Sequence, residues 1–299
     1  MENATPIGTN VSAKSDRQSL RYRLSALRQY LGTSAVLGIL LTGATVIAAL
    51  FAPLIVSHDP NQNHLQDALQ PPSSAYWFGT DHLGRDLFAR VVYGAQKSLF
   101  IALMVQVIAV TTGTLLGLLA GYLGGKIDKW IMGLATIMFS FPGILFAIAI
   151  MAALGPGIFN LFIALGVVSW PEICRLVRAE TISLKQREFV EAGYAMGAGT
   201  WRILFRYILP NCYGNIIVLA TLGMASAILA ESSLSFLGLG VQPPDPSWGS
   251  LVGQGKDYMY QAPWFMFIPG IVMFITILGI NLLGDTLRDW FDPKMKSNR

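Results

Sequence analysis

The chain has 299 residues, of which 53% are hydrophobic and only 13% are charged, and its mean hydropathy is +0.52. Soluble domains carry about 25% charged residues, so this composition excludes an ordinary soluble protein and indicates several membrane-spanning segments. The formal net charge is +4, but the basic residues lie between apolar segments rather than on one patch, so we expect no nucleic-acid partner.

The first 33 residues form a polar leader. Its early part has no hydrophobic periodicity and is predicted to be disordered, whereas Ser19–Tyr30 alternates leucines and arginines in a pattern typical of a basic amphipathic helix on the inner membrane surface. The first apolar segment starts too late for a cleavable signal, so we interpret it as a membrane anchor that the mature chain keeps.

Six segments are long and apolar enough to cross a membrane, which takes about 20 residues in a helix. The predicted fold is therefore an all-α polytopic membrane protein with six transmembrane helices, in a domain covering residues 34–299. Pro142 and Gly143 in the third segment and Pro171 in the fourth are expected to bend their helices. The predicted spans are Ser34–Val56, Leu99–Leu123, Trp130–Leu154, Gly157–Val177, Asn215–Leu237 and Trp264–Leu283.

The distribution of Lys and Arg predicts the orientation of the spans. If the N-terminus is inside, all 21 basic residues except Arg85, Arg90, Lys97 and Lys256 fall in inside segments. Because cytoplasmic loops carry the excess of positive charge, both termini and the loop 178–210 are expected to be cytoplasmic.

The first outside loop ends in the block Phe78–Leu99, FGTDHLGRDLFARVVYGAQKSL. Arg85 is expected to pair with Asp81 or Asp86 at a helix start, next to a turn at Gly84. A capped re-entry into the membrane is the favoured role for this block, and substrate contact is the alternative.

Two residue types that often bind metals occur without a metal-binding pattern. His58, His64 and His82 all lie in the first outside loop, but their spacing and the lack of an acidic cluster argue against a metal site. Cys174 and Cys212 have no C-x-x-C spacing and are predicted to be unpaired thiols.

The polar loop between the fourth and fifth spans has its own helical pattern. Leu184–Met196 is predicted to form a short helix, ended by a positive φ at Gly197 or Gly199. A second amphipathic stretch covers Trp201–Leu209, and Pro210 marks the entry to the next span.

Two acidic residues fall within the predicted spans. Glu231 is either part of the translocation path, with Ser232 and Ser233, or a carboxylate held by hydrogen bonds to those serines. Glu172 is expected to pair with Arg175 or Arg178.

The segment after the fifth span is a proline-rich outside loop, residues 242–246. Its rigidity has either a purely structural role or a role in contacting an extracytoplasmic binding protein, for which Gln242, Asp245 and Trp248 are the candidates. Trp248 is also expected to anchor the chain at the membrane interface.

The loop after the fourth span resembles a known motif. It matches the EAA loop of ATP-binding-cassette (ABC) importer permeases, whose pattern is E-A-A, three residues, G, nine residues, I-x-L-P. The matching positions are Glu191, Ala192, Gly197, Leu209 and Pro210. Gly193 stands at the third motif position, and Tyr207 stands at the Ile position.

Three further blocks narrow the resemblance to the C-type permease subunit of dipeptide, oligopeptide and nickel importers. They are Phe78–Leu99, Glu231–Leu251 (ESSLSFLGLGVQPPDPSWGSL) and Asn281–Lys294 (NLLGDTLRDWFDPK). The four blocks occur in the family's order, from about residue 34 to the end of the chain. Gln96-Lys97 departs from the family's pattern, which often has Arg followed by an apolar residue.

This resemblance implies the type I ABC importer permease fold in a bacterial cytoplasmic (inner) membrane. The implied partners are a second homologous permease subunit, two ATP-binding subunits, an extracytoplasmic substrate-binding protein and membrane lipid. ATP and Mg²⁺ would be bound by the ATP-binding subunits, so no catalytic residue, cofactor or metal is expected in this chain. The residues implied to couple to the ATPase are Glu188, Glu191, Ala192, Gly193, Gly197, Ala198, Leu209 and Pro210.

The sequence contains no G-x-x-x-x-G-K-[ST] motif, so ATP binding by a P-loop is excluded for this chain. The expected function is a permease subunit for di- or oligopeptides or for a nickel chelate, and the cargo is left open. The alternatives are a secondary transporter driven by an ion gradient and a structural membrane scaffold.

Overall fold

The computed structural model describes residues 32–291, and within this range the regular structure is helical. The leader, including the amphipathic helix expected at Ser19–Tyr30, lies outside the described residues, as does Asp292. The helices are α1 (Gly32–Leu50), α2 (Ala52–Ile55), α3 (Leu87–Leu123), α4 (Gly125–Phe139), α5 (Gly143–Leu154), α6 (Ile158–Lys185), α7 (Glu188–Ala195), α8 (Thr200–Arg202), α9 (Leu209–Phe236), α10 (Trp248–Lys256) and α11 (Pro263–Phe291).

The third predicted span is a broken pair of helices. Five helical segments, namely α1, α3, α6, the continuous stretch from α8 to α9, and α11, are each long and apolar enough to cross a membrane. The sixth is α4 with α5, which meet at an angle of 92°. The bend expected at Pro142 and Gly143 is confirmed, since Pro142 has no N–H to continue the ladder and stands at the start of α5 with φ −57° and ψ 123°.

Several helices extend beyond the predicted apolar spans. Helix α3 begins at Leu87 rather than Leu99, because the Asp86 carboxylate accepts a hydrogen bond of 3.0 Å from the Phe88 N–H and caps the first turn. Helix α6 continues to Lys185, so the first part of the predicted loop 178–210 is helical. Hydropathy marks only the apolar part of each helix, and the polar ends extend past it.

Helices α3 and α6 pack in parallel along a seam of glycines. Gly113, Gly117 and Gly121 follow one another at four-residue spacing on α3. A Cβ atom at these positions would lie 2.7 Å from the Trp170 carbonyl oxygen, 2.7 Å from the Cys174 carbonyl oxygen and 2.6 Å from Thr181 Cβ, respectively. The seam therefore brings two spanning backbones close together, as small residues do in membrane helices.

The end of the bundle where α3 begins, called here the α10 end, is closed by polar contacts. Arg85 Nε donates to Asp81 Oδ2 over 2.6 Å, which confirms the predicted pair, and Arg90 lies 3.4 Å from the same oxygen. Gly84 adopts φ +74° in the turn between them, as expected. His82 packs against both Tyr258 and Phe265, with ring centroids 5.3 and 5.8 Å away, and these two rings also contact each other.

Candidate functional site

Helix α7 is anchored to the opposite end of the bundle by the buried side chain of Val190. Val190 is fully buried in an apolar cluster with Ile203, Leu204 and Ile208. The same cluster contains side chains from α3, α6 and α9. The apolar cluster at this end of the bundle, called here the α7 end, therefore includes α7 together with three membrane-spanning helices.

The opposite face of α7 is open and unpartnered within the described chain. Glu188, Glu191 and Ala192 are exposed, as are Phe189 and, at 73%, Met196. Acidic groups beside exposed apolar side chains indicate a surface that another protein covers. We call Glu188, Phe189, Glu191, Ala192 and Met196 the coupling surface.

The end of α7 explains the glycines of the motif. Gly197 has φ +76° and ends the helix as predicted, whereas Gly199 has φ −69° and takes no part in that turn. The Ala198 N–H donates to the Gly193 carbonyl over 3.0 Å. Gly193 itself is buried, and a Cβ there would lie 3.0 Å from Ile203 Cδ1, so glycine at the third motif position gives this contact room.

Two aromatic rings and a lysine connect α7 and α6 with the end of α3. Tyr194 stacks on Tyr122 with ring centroids 6.4 Å apart. Lys185 Nζ donates to the Tyr122 carbonyl oxygen over 2.7 Å, so it satisfies one of the free carbonyls at the end of α3.

The chain after α7 leads into α9 without a break. Residues Thr200–Phe236 form one helical segment that contains a π-helical turn at Ile203–Ile208. Leu209 packs against the same apolar cluster as Val190, and Pro210 lies in the first turn of α9, just after the π-helical turn. A displacement of the coupling surface would therefore act on a spanning helix through packed contacts.

Glu231 is fully buried near the other end of α9. Its carboxylate accepts hydrogen bonds from Ser235 at 2.7 Å, Ser98 at 3.2 Å and Ser232 at 3.3 Å. Ser233 makes no such contact, because its exposed hydroxyl donates to the Leu229 carbonyl. The expected hydrogen bond to Ser232 or Ser233 is therefore confirmed through Ser232, and a role in the translocation path remains a prediction.

The proline-rich loop presents only part of the predicted contact surface. Gln242 is exposed, and Asp245 is partly exposed and pairs with Lys97 over 2.7 Å. The expectation that Trp248 is an interfacial anchor and a contact residue is wrong. Trp248 is fully buried, and its Nε1–H donates to the Val91 carbonyl over 3.1 Å.

Gln96 and Lys97, which depart from the family's pattern, each have a structural role. Gln96 Nε2 donates to the Ala49 carbonyl over 2.6 Å and ties α3 to α1, while Lys97 holds the loop through Asp245.

A cavity of about 350 Å³ opens between α3, α5, α6 and α9, beside Phe139 at the end of α4. Its walls are mostly apolar, and four polar side chains line it, those of Gln106, Ser169, Glu172 and Ser226. Sequence reasoning missed this group, although a glutamine within an apolar span such as α3 is a signal that could have found it.

The predicted partners of Glu172 are engaged elsewhere. Arg178 forms a two-pronged ion pair with Asp128 on α4, and the Arg175 guanidinium lies over the Phe139 ring, 4.2 Å from its centroid. Among residues 32–291, Glu172 has no ion-pair partner, so the prediction of a pair with either arginine is wrong.

The histidines and cysteines form no centre of their own in the described part of the chain. His58 Nδ1 lies 3.0 Å from Asp86 Oδ2, and no group of three potential ligands for a metal ion occurs between residues 32 and 291. Cys174 and Cys212 are both free and buried, which confirms the prediction of unpaired thiols.

Two family models match the chain. Residues 113–297 match the model described as "Binding-protein-dependent transport system inner membrane component". Residues 33–72 match the model described as the N-terminal TM domain of oligopeptide transport permease C. The first match contains α7 and most of the spanning helices.

The chain is similar to curated permeases over most of its length. It is 45% identical to the dipeptide transport system permease protein DppC of Alkalihalophilus pseudofirmus, over 88% of this chain and 86% of that protein. It is 44% identical to the di/tripeptide transport system permease protein DppC of Pseudomonas aeruginosa, over 87% and 88%. The glutathione transport system permease protein GsiD of Pectobacterium atrosepticum is 42% identical, over 91% and 89%.

A solved structure shares the fold. A chain from the inward-facing MetNI methionine ABC transporter superposes with a TM-score of 0.55 at 19% identity, covering 68% of this chain and 96% of that chain. This likeness confirms the predicted permease fold. The chain therefore belongs to the family of binding-protein-dependent transport system inner membrane components, and it is a multi-pass ABC importer permease of the inner membrane.

Proposed function

We propose that this chain is one of two homologous permease subunits of an ATP-driven peptide importer. The curated relatives named for dipeptides, di/tripeptides and glutathione support peptides as the cargo. A nickel chelate is the other cargo that the sequence left open, and none of these three names includes nickel.

The observation that carries the proposal is the geometry of α7. An ATPase subunit would cover the coupling surface, while Val190 on the buried face transfers its movement to α3, α6 and α9. With two ATPase subunits below the two permeases, binding of ATP and Mg²⁺ between them would draw the coupling helices together and open the path outward. Hydrolysis would then return the complex to the inward-open state.

The basic residues support one orientation of the chain in the membrane. Arg187, Arg202 and Arg206 lie at the α7 end and support a cytoplasmic location for the coupling surface and for both termini. The α10 end would then face an extracytoplasmic binding protein, which would meet the loop at Gln242 and Asp245.

Reconstitution tests this function. The chain, its partner permease, the ATPase subunits and the binding protein are placed in proteoliposomes, and uptake of radiolabelled trialanine is measured with ATP, with a non-hydrolysable analogue, and with a proton gradient alone. Uptake that requires hydrolysable ATP supports the proposal. Uptake driven by the gradient alone would support a secondary transporter, and uptake of a nickel chelate without trialanine uptake would refute peptides as the cargo.

A further inference from the structure

We propose that the Glu172 carboxylate binds the ammonium group of a peptide's free amino terminus as the peptide passes through the cavity between α3, α5, α6 and α9. This inference rests on the proposed peptide-import function and adds a substrate contact to it. It is supported by the cavity, by the unpaired charge of Glu172 and by the chemistry of the other lining groups.

The carboxylate is placed within the spanning part of its helix. Glu172 lies on α6 within the predicted span Gly157–Val177, five residues, or about 8 Å, before the end of that span. A carboxylate at such a depth is costly unless it faces a water-filled space or a partner charge. Glu172 is exposed and lines the cavity, so it faces the open space.

The protein itself supplies no cation to Glu172. The two arginines that follow on α6 are held by Phe139 and by Asp128, as described above. No other Lys, Arg or His within residues 32–291 forms an ion pair with this carboxylate. A ligand cation would meet a negative charge that is not already neutralised.

The side chains that line the cavity favour one class of cation over another. Glu172 is the one acidic side chain lining the cavity within the described residues, and the walls are largely apolar. Divalent metal ions prefer several oxygen or nitrogen ligands, so this lining favours a monovalent organic ammonium. The amide of Gln106 and the hydroxyls of Ser169 and Ser226 can exchange hydrogen bonds with peptide groups, and the apolar walls accept side chains.

The dimensions also fit a small peptide. Pockets for small ligands enclose about 300–1,000 Å³ and place a few polar groups among apolar walls. At about 350 Å³ the cavity lies at the lower end of this range, which suits a di- or tripeptide. A free amino terminus is the cationic group that all such unmodified peptides share.

The test removes one charge from the protein and one charge from the ligand, first separately and then together. Equilibrium dialysis measures binding of tritiated trialanine and N-acetyl-trialanine to the purified permease–ATPase complex, without binding protein and without nucleotide. Wild-type complex is expected to bind trialanine about tenfold more tightly than its acetylated form, the size of one charge-assisted hydrogen bond. Glu172→Gln should abolish that preference by weakening only trialanine binding.

Two variants serve as controls. Glu172→Asp should keep the preference for the free amino terminus. Glu180→Gln should not affect this preference. It removes a carboxylate from the same helix, but the Glu180 carboxylate accepts a hydrogen bond from Asn215 and does not line the cavity.

The outcomes separate this inference from the proposed function. If wild-type complex imports trialanine in proteoliposomes yet shows no preference between the two peptides, or keeps its preference in Glu172→Gln, the role of Glu172 is refuted and the importer function stands. If wild-type complex imports no peptide, the proposed function fails, and the role of Glu172 fails with it. Should Glu172→Gln not assemble, the wild-type preference and its retention in Glu172→Asp decide the question.

Discussion

The Gly197 N–H donates to the Tyr194 carbonyl over 2.9 Å, and this hydrogen bond closes the last turn of α7. The turn requires φ +76° at Gly197, a conformation that costs a residue with a Cβ about 1–2 kcal/mol. We therefore expect Gly197→Ala to loosen the end of the coupling surface and to lower uptake per ATP hydrolysed. Gly199→Ala is the matched control, because Gly199 has φ −69° and open space around it. Equal coupling ratios in the two variants would contradict the role given to the turn.

The glycine seam between α3 and α6 predicts a packing defect. Gly117→Ala would place its methyl group 2.7 Å from the Cys174 carbonyl oxygen, and forcing extra volume into a packed site costs about 1–3 kcal/mol. The expected result is a lower thermal midpoint of the detergent-purified complex. Gly133→Ala, on α4 with nothing within 4 Å, should leave the midpoint unchanged or slightly raised. A Gly117→Ala midpoint equal to that of Gly133→Ala would mean that the helices do not pack this closely.

The serine hydroxyl groups that donate hydrogen bonds to Glu231 predict that this residue contributes to the thermal stability of the protein. Glu231→Ala leaves the buried Ser98 and Ser235 hydroxyls without their acceptor, at a cost of about 2–3 kcal/mol. We expect a clear loss of thermal stability, with Glu231→Gln milder because the amide oxygen still accepts. Ser233→Ala is the control, since that hydroxyl contacts only the backbone of its own helix. Unchanged stability in Glu231→Ala with altered peptide selectivity would assign Glu231 to the translocation path instead.

His82 predicts how the stability of the α10 end depends on pH. Burial against Tyr258 and Phe265 lowers its pKa below the ordinary 6.5, and the nearby Arg85 and Arg90 act in the same direction while Asp81 opposes them. As the pH falls, the unfolded chain takes up the proton at a higher pH than the folded chain does. The contribution of neutral His82 to the free energy of unfolding is therefore complete above pH 6.5 and is lost as the pH falls below it.

Thermal midpoints of the purified complex between pH 8 and pH 5 measure this effect. The wild-type midpoint should fall more steeply below pH 6.5 than that of His82→Phe, which keeps an aromatic ring in the stack but cannot titrate. Parallel curves for the two proteins would show that His82 does not control the loss.

The α7 region could be predicted from local sequence. The sequence predicts one short helix over Leu184–Met196 with a left-handed end at Gly197 or Gly199. The start was wrong, because Leu184 and Lys185 still belong to α6 and the helix begins at Glu188, whereas the left-handed end at Gly197 depends on neighbouring residues only. The bend at Pro142 is local in the same way, because a missing N–H breaks the helix wherever the fold places it. The angle of 92° depends on packing and was not predictable.

The wrong predictions concern contacts between residues that are distant in sequence. Arg178 pairs with Asp128, fifty residues earlier in the chain. It is therefore not available to Glu172, which lies six residues before it on the same helix. Trp248 contacts Val91 across a separation of 157 residues, which turns an expected surface anchor into a buried one. The cavity around Glu172 likewise combines four helices, and no single segment shows it.

The proposed function requires that the coupling surface transmits ATP hydrolysis to the membrane helices. Glu191 is exposed on that surface and makes no ion pair among the described residues, so Glu191→Lys reverses a charge without disturbing the packing of α7. The decisive measurement is trialanine uptake per ATP hydrolysed by the reconstituted complex. We predict that Glu191→Lys inserts into the membrane normally and that its uptake per ATP hydrolysed falls at least about tenfold, the effect of losing about 1.4 kcal/mol at a docking contact. Uptake and coupling ratio equal to those of the wild type would contradict the central claim.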